Sequence, residues 1–163
     1  MNTLNIDYIN LLSPYTVAEI SGRLHFRTDH DIEYVVTFDQ EDNPFFMVYW
    51  FNLTNPDHTK SPSDPKIPQT VICIIEEFFR VNPDILLYLC SDEGGKQAQR
   101  ARLFLRWFNG AEQQKHYIIR TAEVKGETGT EYIALIAQRN NPHISEILEI
   151  FDSDTAMFNE MKP

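Results

Sequence analysis

"DILLYLCSDEGGKQAQRARLFLRW", Asp84 to Trp107, holds the decision about the fold. Ile85 to Cys90 is a short apolar run with no polar interruption, the pattern of a strand covered on both faces. Before it, Val71, Ile72, Ile75, Phe78 and Phe79 recur at helical spacing behind Pro68, with Glu76, Glu77 and Arg80 filling the other face. After it, the spacing predicts a second helix from about Asp92 to Phe108, with Ala98, Ala101, Leu105 and Phe108 inward and Asn109-Gly110 as its stop. A buried strand between two helices reads as a crossover delivering a central strand to a sheet.

Towards the N-terminus the period changes to two. "YTVAEI", "RLHFRT" and "IEYVVTF" alternate, separated by Ser21-Gly22 and by the polar turn Asp29 to Asp31. Phe45 to Thr54 is a fourth strand whose near-continuous apolar residues predict cover on both faces. Residues 1–14 form a short helix or a loosely docked arm, and 15–163 a single domain. Towards the C-terminus, "HYIIRTAEV" and "EYIALIAQ" flank "KGETGT" as a hairpin, and Asn141-Pro142 supplies the cap and first-turn proline of a last helix. The order of meander, helix, strand, helix, hairpin and helix defines an α+β domain with a mostly antiparallel sheet.

Composition narrows the function classes. Of 163 residues, 42% are hydrophobic and the formal net charge is −10, which suits a sizeable core and disfavours broad contact with nucleic acid or anionic membrane. The start of the chain lacks the pattern of a secretory signal, and no apolar run approaches a membrane span. Cys73 and Cys90 stand apart inside apolar stretches, as buried free thiols of a reducing cytosol do, so a cytoplasmic location is expected. The five histidines show no metal spacing, no serine sits in GxSxG, and no cofactor is implied. Trp50 and Trp107 read as core. The segment from Asn55 to Lys66, with three prolines, is a solvated connector or a lid.

The junction after the central strand is the candidate ligand site: Ser91, Gly94, Gly95, Lys96, Arg100, Arg102 and Arg106. Ser91 or Asp92 caps the predicted helix, and the glycines suit a special backbone or a close approach. "GGK" resembles the tail of a phosphate-binding loop, but Gln97 stands where the magnesium-binding hydroxyl belongs. Between Gly95 and Arg120 lie six basic residues and one acidic residue, Glu112, a basic collar on an acidic chain. Its bland explanation is pairing with the excess carboxylates. Its functional one is an acidic protein partner or an anionic ligand.

The strand-ending "YLCSD" and the arginine-bearing, aromatic-ended helix resemble a family of small bacterial proteins known only as a domain of unknown function, over roughly Pro14 to Phe158. That resemblance implies no activity. The element order is also similar to the later part of the acetyl-coenzyme-A-dependent N-acyltransferase fold. In that family a glycine-rich loop holds the coenzyme pyrophosphate; here the equivalent "NPDHTKSPSDPKIPQ" has no glycine, which implies lost or rearranged coenzyme binding and no catalytic residue. The leading expectation is a non-enzymatic interaction or regulatory module using the basic helix. The alternatives are a divergent acyltransferase-like or nucleotide- or phosphoryl-ligand-binding protein with its site near residues 91–95, and nucleic-acid binding through the collar.

Overall fold

The computed structural model describes residues 1–43, 45–57, 62–91, 106, 115–125 and 130–160, with side chains left aside at 89–91, 125, 130 and 155–160. The described elements are α1 (Ile6–Asn10), β1 (Ala18–Ile20), β2 (Arg23–Arg27), β3 (Glu33–Glu41), β4 (Val48–Thr54), α2 (Lys66–Val81), β5 (Ile85–Ser91), β6 (Tyr117–Lys125), β7 (Thr130–Gln138) and α3 (Ile144–Glu160). The seven strands follow the order β1-β2-β3-β4-β5-β7-β6 in a mixed, mostly antiparallel sheet, and the fold is α+β. Of the predicted second helix only Arg106 is among the described residues. By compactness the chain divides into two units, Met1–Asp39 with Phe51–Pro83 and Gln40–Trp50 with Asp84–Pro163.

In the first unit the meander is written in local chemistry. Ile20 pairs with Arg23 across a two-residue loop in which both Ser21 (φ 52°) and Gly22 (φ 78°) are left-handed. That is the type I′ geometry whose twist matches the flanking strands. The next turn is held by Thr28, whose hydroxyl accepts from the amides of His30 (3.2 Å) and Ile32 (3.3 Å). Leu24 and Phe26 are buried on one face of β2, as alternation requires. The rings of Tyr15, Phe26 and Tyr34 stack in sequence at 6.1 and 5.4 Å, and Phe38 stacks on Phe78 at 5.0 Å.

Three side-chain placements differ from the periodic reading of α2 and α1. Glu77, expected on the outer face, is only 1% exposed, and its carboxylate accepts from Arg80 Nε at 2.8 Å. The Arg80 guanidinium lies 4.2 Å over the Tyr8 ring, so one arginine spans the gap between a buried carboxylate and α1. Ile72 is half-buried, whereas Ile74, which was not assigned to the stripe, is fully buried. Residues 6–10 are helical, capped by Asn5 accepting from the Tyr8 amide at 3.0 Å, and buried Ile9 docks the helix. Asn82, just past α2, accepts from the Asn2 amide at 2.7 Å and donates to Phe78 O at 3.1 Å, fastening the first residues to the helix end.

Candidate functional site

In the second unit, alternation sends Ile85 and Leu87 of β5, Ile133 and Leu135 of β7, and Ala122 and Val124 of β6 to one face. The registers Leu87↔Leu135 and Ala122↔Ile133 align them in rows. After β7 the chain turns at Asn141, whose Oδ1 accepts from the His143 amide at 2.9 Å, and Ile147 N–H donates to His143 O at 2.9 Å. The helix itself begins at Ile144, so Asn141 and Pro142 shape the turn before it and are not its cap and first-turn residue as expected. On α3, Ile147, Ile150, Phe151 and Asp154 follow the spacing of one helical face, with Ile147 and Phe151 buried in the same cluster as Val48, Ile85 and Leu135.

This packing leaves a pocket of about 330 Å³. Phe46, Val48 and Trp50 supply one wall, Ile85, Leu87, Val124, Ile133 and Leu135 the floor, and α3 the other wall. Its polar lining is Glu41, Asn43, Glu131 and Asp154. Asn43 has a structural duty: its Oδ1 accepts from the amides of Phe45 (2.8 Å) and Phe46 (3.1 Å) and shapes the turn before β4. The three carboxylates make no ion pair or side-chain hydrogen bond among the described residues. No serine, cysteine, lysine or histidine is among the described lining residues, which offer apolar surface and negative charge. The described residues also hold no group of ligands placed to bind a metal.

The candidate residues of the junction fare differently. Ser91 is the last residue of β5 and pairs in register with Glu131, which places the junction's first residue beside the pocket lining. Gly94, Gly95, Lys96, Arg100 and Arg102 lie outside the described residues. Arg106 is helical and exposed. Arg120 donates to Asp152 at 2.6 Å, so this member of the collar is internally paired. Sequence reasoning missed the pocket because Trp50 was assigned to the core, whereas it is half-buried and lines the open space. One signal was available: Glu131 opens an otherwise apolar alternation on the same face as Ile133 and Leu135.

A second group of titratable residues, in the first unit, has a structural reading. Tyr15 donates its hydroxyl proton to Asp64, its oxygen accepts from the Asp29 amide at 3.2 Å, and Lys66 binds Asp29 at 2.9 Å. Burial is the main cause that raises the Tyr15 pKa, so its phenol stays a proton donor and is not primed as a base. The hydrogen bond and charge of Lys66 lower Asp29, and Asp29 in turn raises Lys66. The cluster ties Asp64 and Lys66, at the end of the proline-containing segment, to the turn after β2; residues 58–61 of that segment lie outside those described. Cys73, expected buried, is free and half-buried, and the Cys90 side chain lies outside the described set.

The fold and site define an α+β protein with an apolar, acid-lined pocket on its second unit. The chain belongs to the family of unknown function DUF6169, which matches residues 63–153, more than half of its length. The match spans α2, β5, β6, β7 and the part of α3 that carries Ile147 to Phe151, but not Glu41 to Trp50. It is shorter than the stretch from Pro14 to Phe158 over which the resemblance was drawn. No curated protein and no solved structure gives a significant match, so the likeness of element order to N-acyltransferases gains no support. Among the described residues, no helix is long and apolar enough to cross a membrane.

Proposed function

We propose that this chain is a non-enzymatic binding module and that its ligand enters the pocket of the second unit. The observation that supports this most is the open volume of about 330 Å³ between α3 and the sheet face, lined among the described residues by eleven apolar side chains of which three are aromatic. Small-molecule sites are typically clefts of about 300 Å³ or more with a mainly apolar lining and a few polar groups. The alternative expectation, an acidic partner at the basic collar, keeps Arg106 and Lys115 as exposed described residues, while Lys96, Arg100 and Arg102 lie outside those described. The pocket's own polar groups carry the opposite charge, so the two surfaces call for different partners.

The test uses Trp50 as the reporter. In a Trp107→Phe background, indole fluorescence reports the pocket wall, and a panel of small apolar alcohols and amines is titrated against it. Saturable changes are expected, and Ile150→Trp, which fills the space from the α3 side, is expected to abolish binding while thermal unfolding remains cooperative. A panel that leaves both the fluorescence and the unfolding temperature unchanged would refute the reading, because a ligand at a hundred times its Kd adds about 2.7 kcal/mol of stability.

A further inference from the structure

The carboxylates of the pocket divide between its two ends. Ile85 N–H, at the start of β5, donates to Met47 O at 3.2 Å, and the Phe46 ring lies 6.0 Å from that of His143, just before α3. The turn between Glu41 and Val48 therefore marks the end of the pocket where β5 and α3 begin. Glu131 belongs to the opposite end, because it pairs with Ser91 where β5 finishes and with Val124 near the end of β6. Asp154 lies furthest along α3 among the lining residues, on the side away from His143. At about 3.3 Å per residue, β5 spans roughly 20 Å between these ends. Between them the described lining is apolar, with Val48, Trp50, Leu87, Ile133, Leu135 and Phe151 along it.

A trough with an apolar middle and a carboxylate at each end has one complementary ligand shape. Its ligand carries an apolar chain, because only that shape gains from the floor, and a cation at each end, because Glu41 at one end and Glu131 and Asp154 at the other lack cationic partners among the described residues. Anions are repelled at both ends. A chain with charge in its middle is disfavoured too, since an ammonium over Ile133 and Leu135 would lose water without gaining a carboxylate. The volume of about 330 Å³ sits at the small end of ligand sites and suits a slim chain better than a fused polycycle. Resting on the pocket reading above, we infer that the ligand is a slim dication of the medium-chain α,ω-diamine class, held by Glu41 at one end and by Glu131 and Asp154 at the other.

The experiment is isothermal titration of the full chain with octamethylenediamine and its decamethylene homologue, compared with octylamine, octanediol, suberate and spermine. The diamine of best length is expected to bind about ten-fold more tightly than octanediol, corresponding to two screened ion pairs, with octylamine between them and suberate undetected. Glu41→Gln and Glu131→Gln are each expected to bring the diamine down to the octylamine level and to leave octanediol unchanged, which also shows that the pocket remains folded. Spermine, with its interior charges, is expected to bind more weakly than octamethylenediamine. Octanediol binding as tightly as the diamine, or spermine binding most tightly of all, overturns the dication inference and leaves the pocket reading standing. Binding of none of the probes, with Trp50 fluorescence unmoved, overturns both.

Discussion

The paired carboxylates of the first unit contrast with those that line the pocket of the second. In the first, charge is matched locally: Glu77 with Arg80, Asp29 with Lys66, and Asp31 with Arg27 at 3.1 Å. In the second, Glu41, Glu131 and Asp154 line an open apolar space with no cation near them among the described residues. Matched polar groups fix a conformation, whereas unmatched groups beside apolar surface are what a ligand completes. The contrast teaches that the net charge of −10 is a poor guide to function here, because its meaning depends on which carboxylates already have a partner.

The contrast breaks most directly in the core. Phe78 is fully buried and stacked on Phe38, with Phe79 edge-on at 5.2 Å. Phe78→Ala should therefore cost about 3–5 kcal/mol, the range for deleting a large ring from a filled interior. Ile150 is half-buried beside space that is already open, so Ile150→Ala removes partial burial without creating a new void and should cost only about 1 kcal/mol. Chemical denaturation of the two variants measures the gap. Equal losses would show that the pocket is packed in solution and that the units do not differ as described.

Asn82 gives a smaller effect that sharpens the polar half of the comparison. It is buried, accepts from the Asn2 amide and donates to Phe78 O, so Asn82→Ala leaves the Asn2 amide without its side-chain acceptor, while Phe78 O keeps the Asn82 backbone N–H at 2.8 Å. The expected loss is about 1–3 kcal/mol by thermal denaturation. Amide exchange should also speed up selectively at residues 2–10. A loss confined to global stability, with no selective change at the start of the chain, would show that the Asn2 contact contributes little.

Much of the fold was legible because its signals are local. Ser21-Gly22 announces a turn that only left-handed φ values complete, the run from Ile85 to Cys90 announces a covered strand, and Asn141-Pro142 announces the approach to α3. Glu77 was misread because the three-to-four spacing of α2 makes a carboxylate look solvent-facing; only the neighbouring Arg80 and Tyr8, brought together by tertiary packing, make its burial tolerable. The pocket was illegible for a related reason. Trp50, Ile133 and Phe151 are all apolar, and periodicity cannot distinguish a side chain facing another side chain from one facing empty space. The carboxylates that distinguish the pocket come from three separate places in the chain, Glu41, Glu131 and Asp154 having no shared motif.

The smallest expected effect concerns alkaline pH and falls mainly on the first unit, with Tyr49 as the second unit's contributor. Burial is the leading cause that raises both the Cys73 thiol above its ordinary 9.0 and the Tyr15 phenol above its ordinary 10.0. The unfolded chain therefore loses these protons first. Between the unfolded and folded values the native state holds more protons, so stability falls as pH rises, and the contribution is fully present below the unfolded values. A melting series from about pH 8 to pH 11 should show a decline that begins near the ordinary thiol value and steepens beyond the phenol value. Cys73→Ala should flatten its first part and leave the second. Tyr15→Phe should reduce the second, leaving the share of Tyr49, whose phenol burial also raises, while lowering the whole curve, since Asp64 and the Asp29 amide both lose their partner. A decline unchanged in both variants would place the alkaline sensitivity elsewhere and remove the first unit's buried acids as its source.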